Sequence, residues 1–517
     1  RQGSKKPFAS NGHTMRLPEY WQLKWLYFNA FLHNAGTGRF ITLWYKNGCG
    51  FTIAQVGTIL ATARTGDLFF TPFWSGLADK TQQGRLILLS LQLAHMLIFL
   101  SLPLSVYLTS ADHQWLPFMQ PNNRFLILWV TVAVWSAFRG PCNPLRDALA
   151  LAALGKEKAK WGQQRLYGAV SWGIAHAILG LSMDYGGFAV LFILFTLSGV
   201  MLSFTQVACL PASTSESRQA VDLLAGLKQL VVQPHVGIFF LNLLTIGACF
   251  SLVESLLFLR MDELHASNFL CGLSVVVTVV FELPIMYWSE VFIRRLGVAG
   301  MVIVGQAAWI VRAIGYTMVP SAWWYLLLEP LHGITYGLVW CAGVHYCSLP
   351  EIWPEGLEAT AQGLLTLAHF GLGPVLGTSL GGLVMDKWGA DTMYRGAAIV
   401  CLMSLLLYTF SALVNGDLYS PFHRYAVIKK GASDFHLTDT RRKGEAAVTP
   451  LPLKHTRHTD RSPLSSVGSS TCDHTPSEGK GLSPVSSMPE VLGKQEVAGE
   501  RDWEGEQLIV GGCEDSC

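Results

Sequence analysis

From residue 22 to residue 414 the chain alternates long apolar stretches with short polar ones. A stretch of about 20 apolar residues crosses the hydrocarbon of a bilayer as a helix, because lipid offers the backbone no other hydrogen-bond partner. Twelve such stretches are expected, at 22–45, 51–73, 85–108, 125–153, 161–182, 187–210, 235–259, 267–293, 296–318, 322–347, 359–384 and 394–414. The Ser- and Thr-rich run 211–219 divides six from six. The pattern therefore predicts an all-α membrane protein of two pseudo-symmetric six-helix bundles. A segment 1–21 precedes the first bundle (22–210), a linker 211–234 leads to the second (235–414), and a tail 415–517 follows. The tail turns to Ser, Thr, Pro, Gly, Lys and Glu, too few apolar residues to offset its ordering entropy, so it is expected to be disordered.

Lys and Arg set the orientation. With a cytoplasmic amino terminus, the inner side receives Lys5, Lys6, Arg16, Lys24, Lys80, Arg85, Lys156, Lys158, Lys160, Arg218, Lys228, Arg294 and Arg295, against Lys46, Arg124, Arg260, Lys387 and Arg395 outside. Both termini, and hence the tail, are expected in the cytoplasm. Residues 1–20 carry no apolar core of the signal-peptide kind, so the first stretch is expected to remain as a span. The halves also echo each other. The fifth stretch ends on Leu181 to Asp184 and the eleventh on Leu383 to Asp386, while Trp74-Ser75 closes the second as Trp288-Ser289 closes the eighth. These offsets of 202 and 214 residues fit an internal repeat.

Composition adds exclusions. The chain is 51% hydrophobic and 14% charged with a formal net charge of +2, which gives no basis for nucleic-acid binding. Its 11 cysteines have no metal-ligand spacing and read as small core residues, with a Cys49–Cys271 disulfide as the alternative. No phosphate-binding loop, nucleophile elbow or zinc-protease helix is present, so neither ATP-driven transport nor hydrolysis is indicated, and no cofactor or metal is expected. The aromatic residues Trp21, Trp25, Trp44, Tyr45, Trp115, Trp129, Trp288, Trp323, Trp324 and Trp353 fall near stretch ends and read as an interfacial belt.

The chemistry lies in polar groups at bilayer depth, which are costly unless they face a partner or a wet cavity. Glu329 and His332 stand one helical turn apart in the tenth stretch, and Tyr336 and Trp340 continue the same stripe. His33, Asn34 and Arg39 lie in the first stretch, Arg64 and Asp67 in the second, and Arg139 in the fourth. Arg64 and Asp67, three apart, can satisfy each other, a structural role as well supported as a functional one. His33 and Asn34, ahead of Gly36 and Gly38, are the better cavity candidates. Arg146, Asp147 and Arg165 sit near the cytoplasmic ends of the fourth and fifth stretches, as a gate or as ordinary helix bonding. Gly76, Asp79, Lys80, Gly84 and Arg85 form the loop between the second and third stretches. There Gly76 would permit close helix approach, and Asp79 would meet helix NH groups or a cation.

That loop resembles the signature of the major facilitator superfamily, with one extra residue before Gly84. A closer resemblance runs through Arg165-Leu166, Gly168 and Trp172-Gly173, Asn143 to Ala148, Glu329 to Gly333, Ala359 to Gly363, and Gly371 to Gly382. It is to the branch of major facilitator superfamily domain-containing protein 6 and its bacterial relatives, cousins of lactose permease and the nucleoside–proton symporters, and it covers about 20 to 414. It implies the twelve-helix fold and small-solute transport. In lactose permease a carboxylate, an Arg and a His–Glu pair on the eighth to tenth spans form the proton site. Glu282, Arg312, Glu329 and His332 occupy those spans here, with the order of the last pair reversed. The resemblance thus implies proton coupling at these four residues; the alternatives are a static network pinning three helices and a substrate-binding role alone.

The resulting expectation is a monomeric secondary transporter moving a small polar solute by alternating access, with protons as coupling ion. The alternatives are a proton-independent uniporter and a non-transporting receptor or scaffold on the same fold.

Overall fold

A computed structural model describes residues 20–110, 120–212, 223–350, 352–353 and 357–416. These fall within one unit, Arg1–Arg442. Lys5, Lys6, Arg16, Trp115, Arg218 and the tail beyond Gly416 lie outside the described residues.

Regular structure among the described residues is helical throughout. Eight helical stretches are long and apolar enough to cross a membrane: Gly84–Leu108, Pro121–Leu154, Trp161–Gly186, Ala189–Cys209, Pro234–Glu263, Asn268–Tyr287, Ser289–Tyr316 and Thr360–Val414. Three other expected spans are helical but miss that standard. The first breaks after Trp21–Gly36 and resumes as Phe40–Leu43 and a π-turn, Trp44–Gly48. The second, Ile53–Thr81, carries Arg64, Asp67, Asp79 and Lys80. The tenth, around Pro330, is assembled from Tyr325–Leu328, the π-helical Gly333–Leu338 and Val339–Tyr346. Two expected spans fall inside Thr360–Val414, where Gly389 at φ 81° interrupts the helix. Only a residue without Cβ enters that region cheaply, so the glycine turns the chain there. The eighth span ends early, at Tyr287 rather than 293, and a short piece from Ser289 leads to a second break at Gly297.

Leu93, Leu97, Leu104, Ile193, Leu197, Phe204, Leu406 and Phe410 point outward and are exposed, a surface suited to lipid rather than water. Trp21, Trp25, Trp288, Trp323 and Trp324 are exposed as an interfacial belt requires, whereas Trp44, Tyr45 and Trp353 are buried in the core. Cys49 and Cys271 are both buried and free, so no disulfide joins them.

Association of helices in lipid depends on close packing and polar contacts, because tails are as apolar as Leu. Two helix pairs joining the halves show both. Trp161–Gly186 packs on Asn268–Tyr287, and Ile53–Thr81 packs on Gly373–Val414. A Cβ placed on Gly382 would come within 3.0 Å of the Gly57 Cα, so these two backbones meet where neither carries a side chain. Thr52 caps Ile53–Thr81 through a capping box with Gln55, and the Ile53 N–H donates to Asp386 at 2.9 Å. Ser267 caps Asn268–Tyr287, and the Asn268 and Phe269 N–H groups donate to Asp184 at 2.8 and 2.9 Å. The two aspartates that mark the repeat in sequence thus each satisfy the amino terminus of a helix in the opposite half.

Asp184→Ala and Asp386→Ala should each lower stability by about 1 kcal/mol, the usual worth of a helix cap. Thermal unfolding in detergent checks this; unchanged melting of both variants would show that the caps contribute nothing.

Candidate functional site

Arg312 lies one turn before the end of Ser289–Tyr316, with Tyr316 four residues on and therefore on the same face. Its guanidinium donates from Nη2 to Glu329 Oε2 at 2.7 Å and from Nε to the Tyr316 hydroxyl at 2.7 Å; Nη1 lies 2.9 Å from His332 Nδ1. Tyr316 donates in turn to Glu329 Oε1 at 2.5 Å, and the Thr278 hydroxyl donates to Oε2 at 3.3 Å. An arginine only donates, so His332 Nδ1 accepts, and a neutral ring then carries its proton on Nε2. Side-chain exposure is 1% for Arg312 and 0% for Glu329. Pro330 and the π-helical turn let the chain hold Glu329, His332 and Thr335 toward Arg312 within a few residues.

Three of the four expected coupling residues are therefore in direct contact. Glu282 stands apart: among the described residues it makes no hydrogen bond or ion pair. It lines a cavity of about 380 Å³ at the junction of the halves, and His332 and Tyr336 line the same space. His332 is thus both a partner of Arg312 and a wall of the cavity. Tyr336 stacks on Phe250, centroids 5.2 Å apart, and Trp340 stacks on Tyr336 from outside the lining.

On the amino-terminal side, Asn34, Arg64, Arg139 and Arg165 line the cavity. Asn34 donates to Asn143 at 3.3 Å. Asp67 pairs with Arg139 at 2.6 Å, and Arg64 reaches the same oxygen only at 4.0 Å, so the expected Arg64–Asp67 pair is the weaker contact. His33 lies outside the lining. It is buried against His95, Gln92, Ser198 and the Phe195 carbonyl, a closed cluster between helices. Asp147 accepts from the Tyr27 hydroxyl at 2.8 Å, and Arg165 lies over the rings of Trp161 and Phe31.

The signature loop turns at Gln82, φ 54°. Arg85 donates to the carbonyls of Leu210 at 2.9 Å and Val207 at 3.3 Å, closing the end of Ala189–Cys209. Gly84 faces Leu149, whereas a Cβ on Gly76 would meet nothing within 4 Å, so among the described residues no helix approaches closely there. Asp79 and Lys80 make no ion pair among the described residues, and the expected pairing of Asp79 with a helix terminus or cation is not seen.

Sequence reasoning does not single out Tyr316, Thr278 or Glu254. Tyr and Thr are ordinary in spans, but Glu254, a lone acid in the run Phe250 to Leu259, carries the same signal as Glu329. It forms an ion pair with Arg39 across the halves, Arg39 Nε donating to Oε2 at 3.2 Å.

Lipid-suited helices around a central cavity walled by charged groups define a multi-pass integral membrane protein built as a transporter. Residues 20–396 match the MFS_1 like family, and the chain belongs to that family, whose members are transporters rather than enzymes. It is 22% identical over 398 residues to the "Uncharacterized transporter YwbF" of Bacillus subtilis (strain 168), spanning 77% of this chain and 94% of that one. To the "Major facilitator superfamily domain-containing protein 6-like protein B" of Xenopus laevis it is 20% identical over 314 residues, 56% of this chain and 49% of the relative. The crystal structure of the nucleoside transporter NupG shares the fold, with a TM-score of 0.60, 16% identity, and coverage of 76% of this chain and 98% of that one.

Breaking one side of the Arg312–Glu329 pair should cost about 3–5 kcal/mol, because it strands a buried charge. Glu329→Leu should therefore melt well below the parent, and Arg312→Met/Glu329→Leu should recover most of the loss. A double variant no more stable than the single one would refute the coupling.

Proposed function

We propose that the chain is a proton-coupled symporter of a small polar solute, working by alternating access. The observation that carries this reading is His332, shared between the buried Arg312–Glu329 network and the central cavity. A proton site touching a solute site through one side chain is what coupling requires. In this reading Glu282 and Glu329 carry the proton, Arg312 tunes Glu329 by pairing with it or releasing it, and His332 links the network to bound solute. Asn34, Arg64, Arg139 and Tyr336 would contact solute, with Asp67 positioning Arg139 and Trp340 backing Tyr336. Asp147, Arg165 and the loop from Gly76 to Arg85 would belong to the cytoplasmic gate.

The fold proposed for this work is the twelve-helix arrangement in two six-helix bundles. It is supported by the three helices that miss the strict span standard and by the break at Gly389, which make up the difference from eight. The Lys and Arg asymmetry supports cytoplasmic termini, and the chain is taken to work as a monomer.

Uptake into proteoliposomes, with an inward proton gradient and after its collapse, tests the reading. Glu329→Gln should abolish gradient-driven accumulation while leaving solute exchange; retained uphill uptake would reject the coupling role. Parent uptake that only equilibrates, with or without the gradient, would establish a uniporter instead.

A further inference from the structure

The cavity is charged asymmetrically. Arg39, Arg64, Arg139 and Arg165 face it from the amino-terminal half, against Glu254 and Glu282 from the other. Arg39 is taken by Glu254, and Arg139 by Asp67 at 2.6 Å. Arg64 approaches only an Asp67 oxygen already engaged, at 4.0 Å, and its side chain keeps 40% exposure. Arg165 has aromatic neighbours, Trp161 at 5.1 Å and Phe31 at 5.9 Å, and makes no ion pair among the described residues. Two guanidinium groups without an acid of their own, Arg64 and Arg165, thus line the same space. Positive charge exceeds negative there even with Glu282 ionised.

Guanidinium forks match carboxylate geometry better than they match hydroxyls. The opposite wall carries the stacked rings of Phe250 and Tyr336. A volume of about 380 Å³ admits a small molecule and little more. Resting on the transporter reading above, we propose that the solute is a small organic anion, a monocarboxylate with a planar apolar body. Its carboxylate meets the guanidinium of Arg64, and its body lies against Phe250 and Tyr336. Glu282 gives this choice a mechanistic consequence. An ionised Glu282 and a bound carboxylate in one low-dielectric cavity repel, so anion and proton are loaded together and the loaded cavity carries no added charge.

Binding to the purified full chain in detergent tests the solute class without requiring transport. Benzoate, benzamide, benzylamine and uridine serve as anionic, neutral, cationic and polyhydroxylated probes in calorimetric titrations. Benzoate should bind at least about tenfold more tightly than benzamide, the discrimination expected of one charge-assisted contact. Arg64→Gln should remove that preference and Arg64→Lys should retain part of it. Benzamide or uridine binding as tightly as benzoate, tighter binding of benzylamine, or no saturable benzoate binding would each overturn the proposal. The two readings fail separately. Selective benzoate binding without gradient-driven uptake would keep the anion site and remove the symporter, whereas gradient-driven uptake of uridine alone would do the reverse.

Discussion

The contact between Arg312 and Glu329 constrains everything near it, because neither group can be left alone where they lie. Both side chains are essentially without solvent exposure, and each carries a full charge into a medium that solvates charge poorly. The surrounding contacts follow from that constraint. Tyr316 fills the second oxygen of Glu329, Thr278 adds a donor to the first, and His332 presents an unprotonated nitrogen to the guanidinium. The spacing of one helical turn between Glu329 and His332 brings an acid and an imidazole from one chain segment onto the same arginine. Helices that could slide past one another in lipid are fixed in register by this set.

The cavity shows the complementary condition. Its charges are arranged unevenly and incompletely satisfied, and the groups left over are donors on one wall and a lone carboxyl, Glu282, on the other. A satisfied network and an unsatisfied cavity meet at His332 and Thr278, which belong to both. A binding event and a rearrangement of the buried pair can therefore influence one another over the length of one side chain.

Much of this was legible in the sequence, and the reasons it stopped are physical. Apolar run length predicts helices, but it does not see that Thr37 to Arg39 break the first one or that Gly389 divides one long helix. Those features depend on single torsions. Arg312, Glu329 and His332 stand out because charge is rare in such runs, and their contact follows from spans packed side by side. The same rarity marks His33, yet it packs among helices away from the cavity, since periodicity in a nearly uniform apolar helix does not say which face is inward. Gly76 looks like a packing glycine and faces open space. Asp184 and Asp386 are readable as a repeat, but their partners lie 84 and 333 residues away in sequence, beyond any local pattern.

Those two aspartates give the junction of the halves a definite character. Each takes the first free N–H groups of a helix belonging to the other half, and the helices they join come within backbone contact. Parting the halves here would strip each carboxylate of its donors and each helix terminus of its acceptor, and water would have to replace them. Opening at this junction would require both rims to be wetted together.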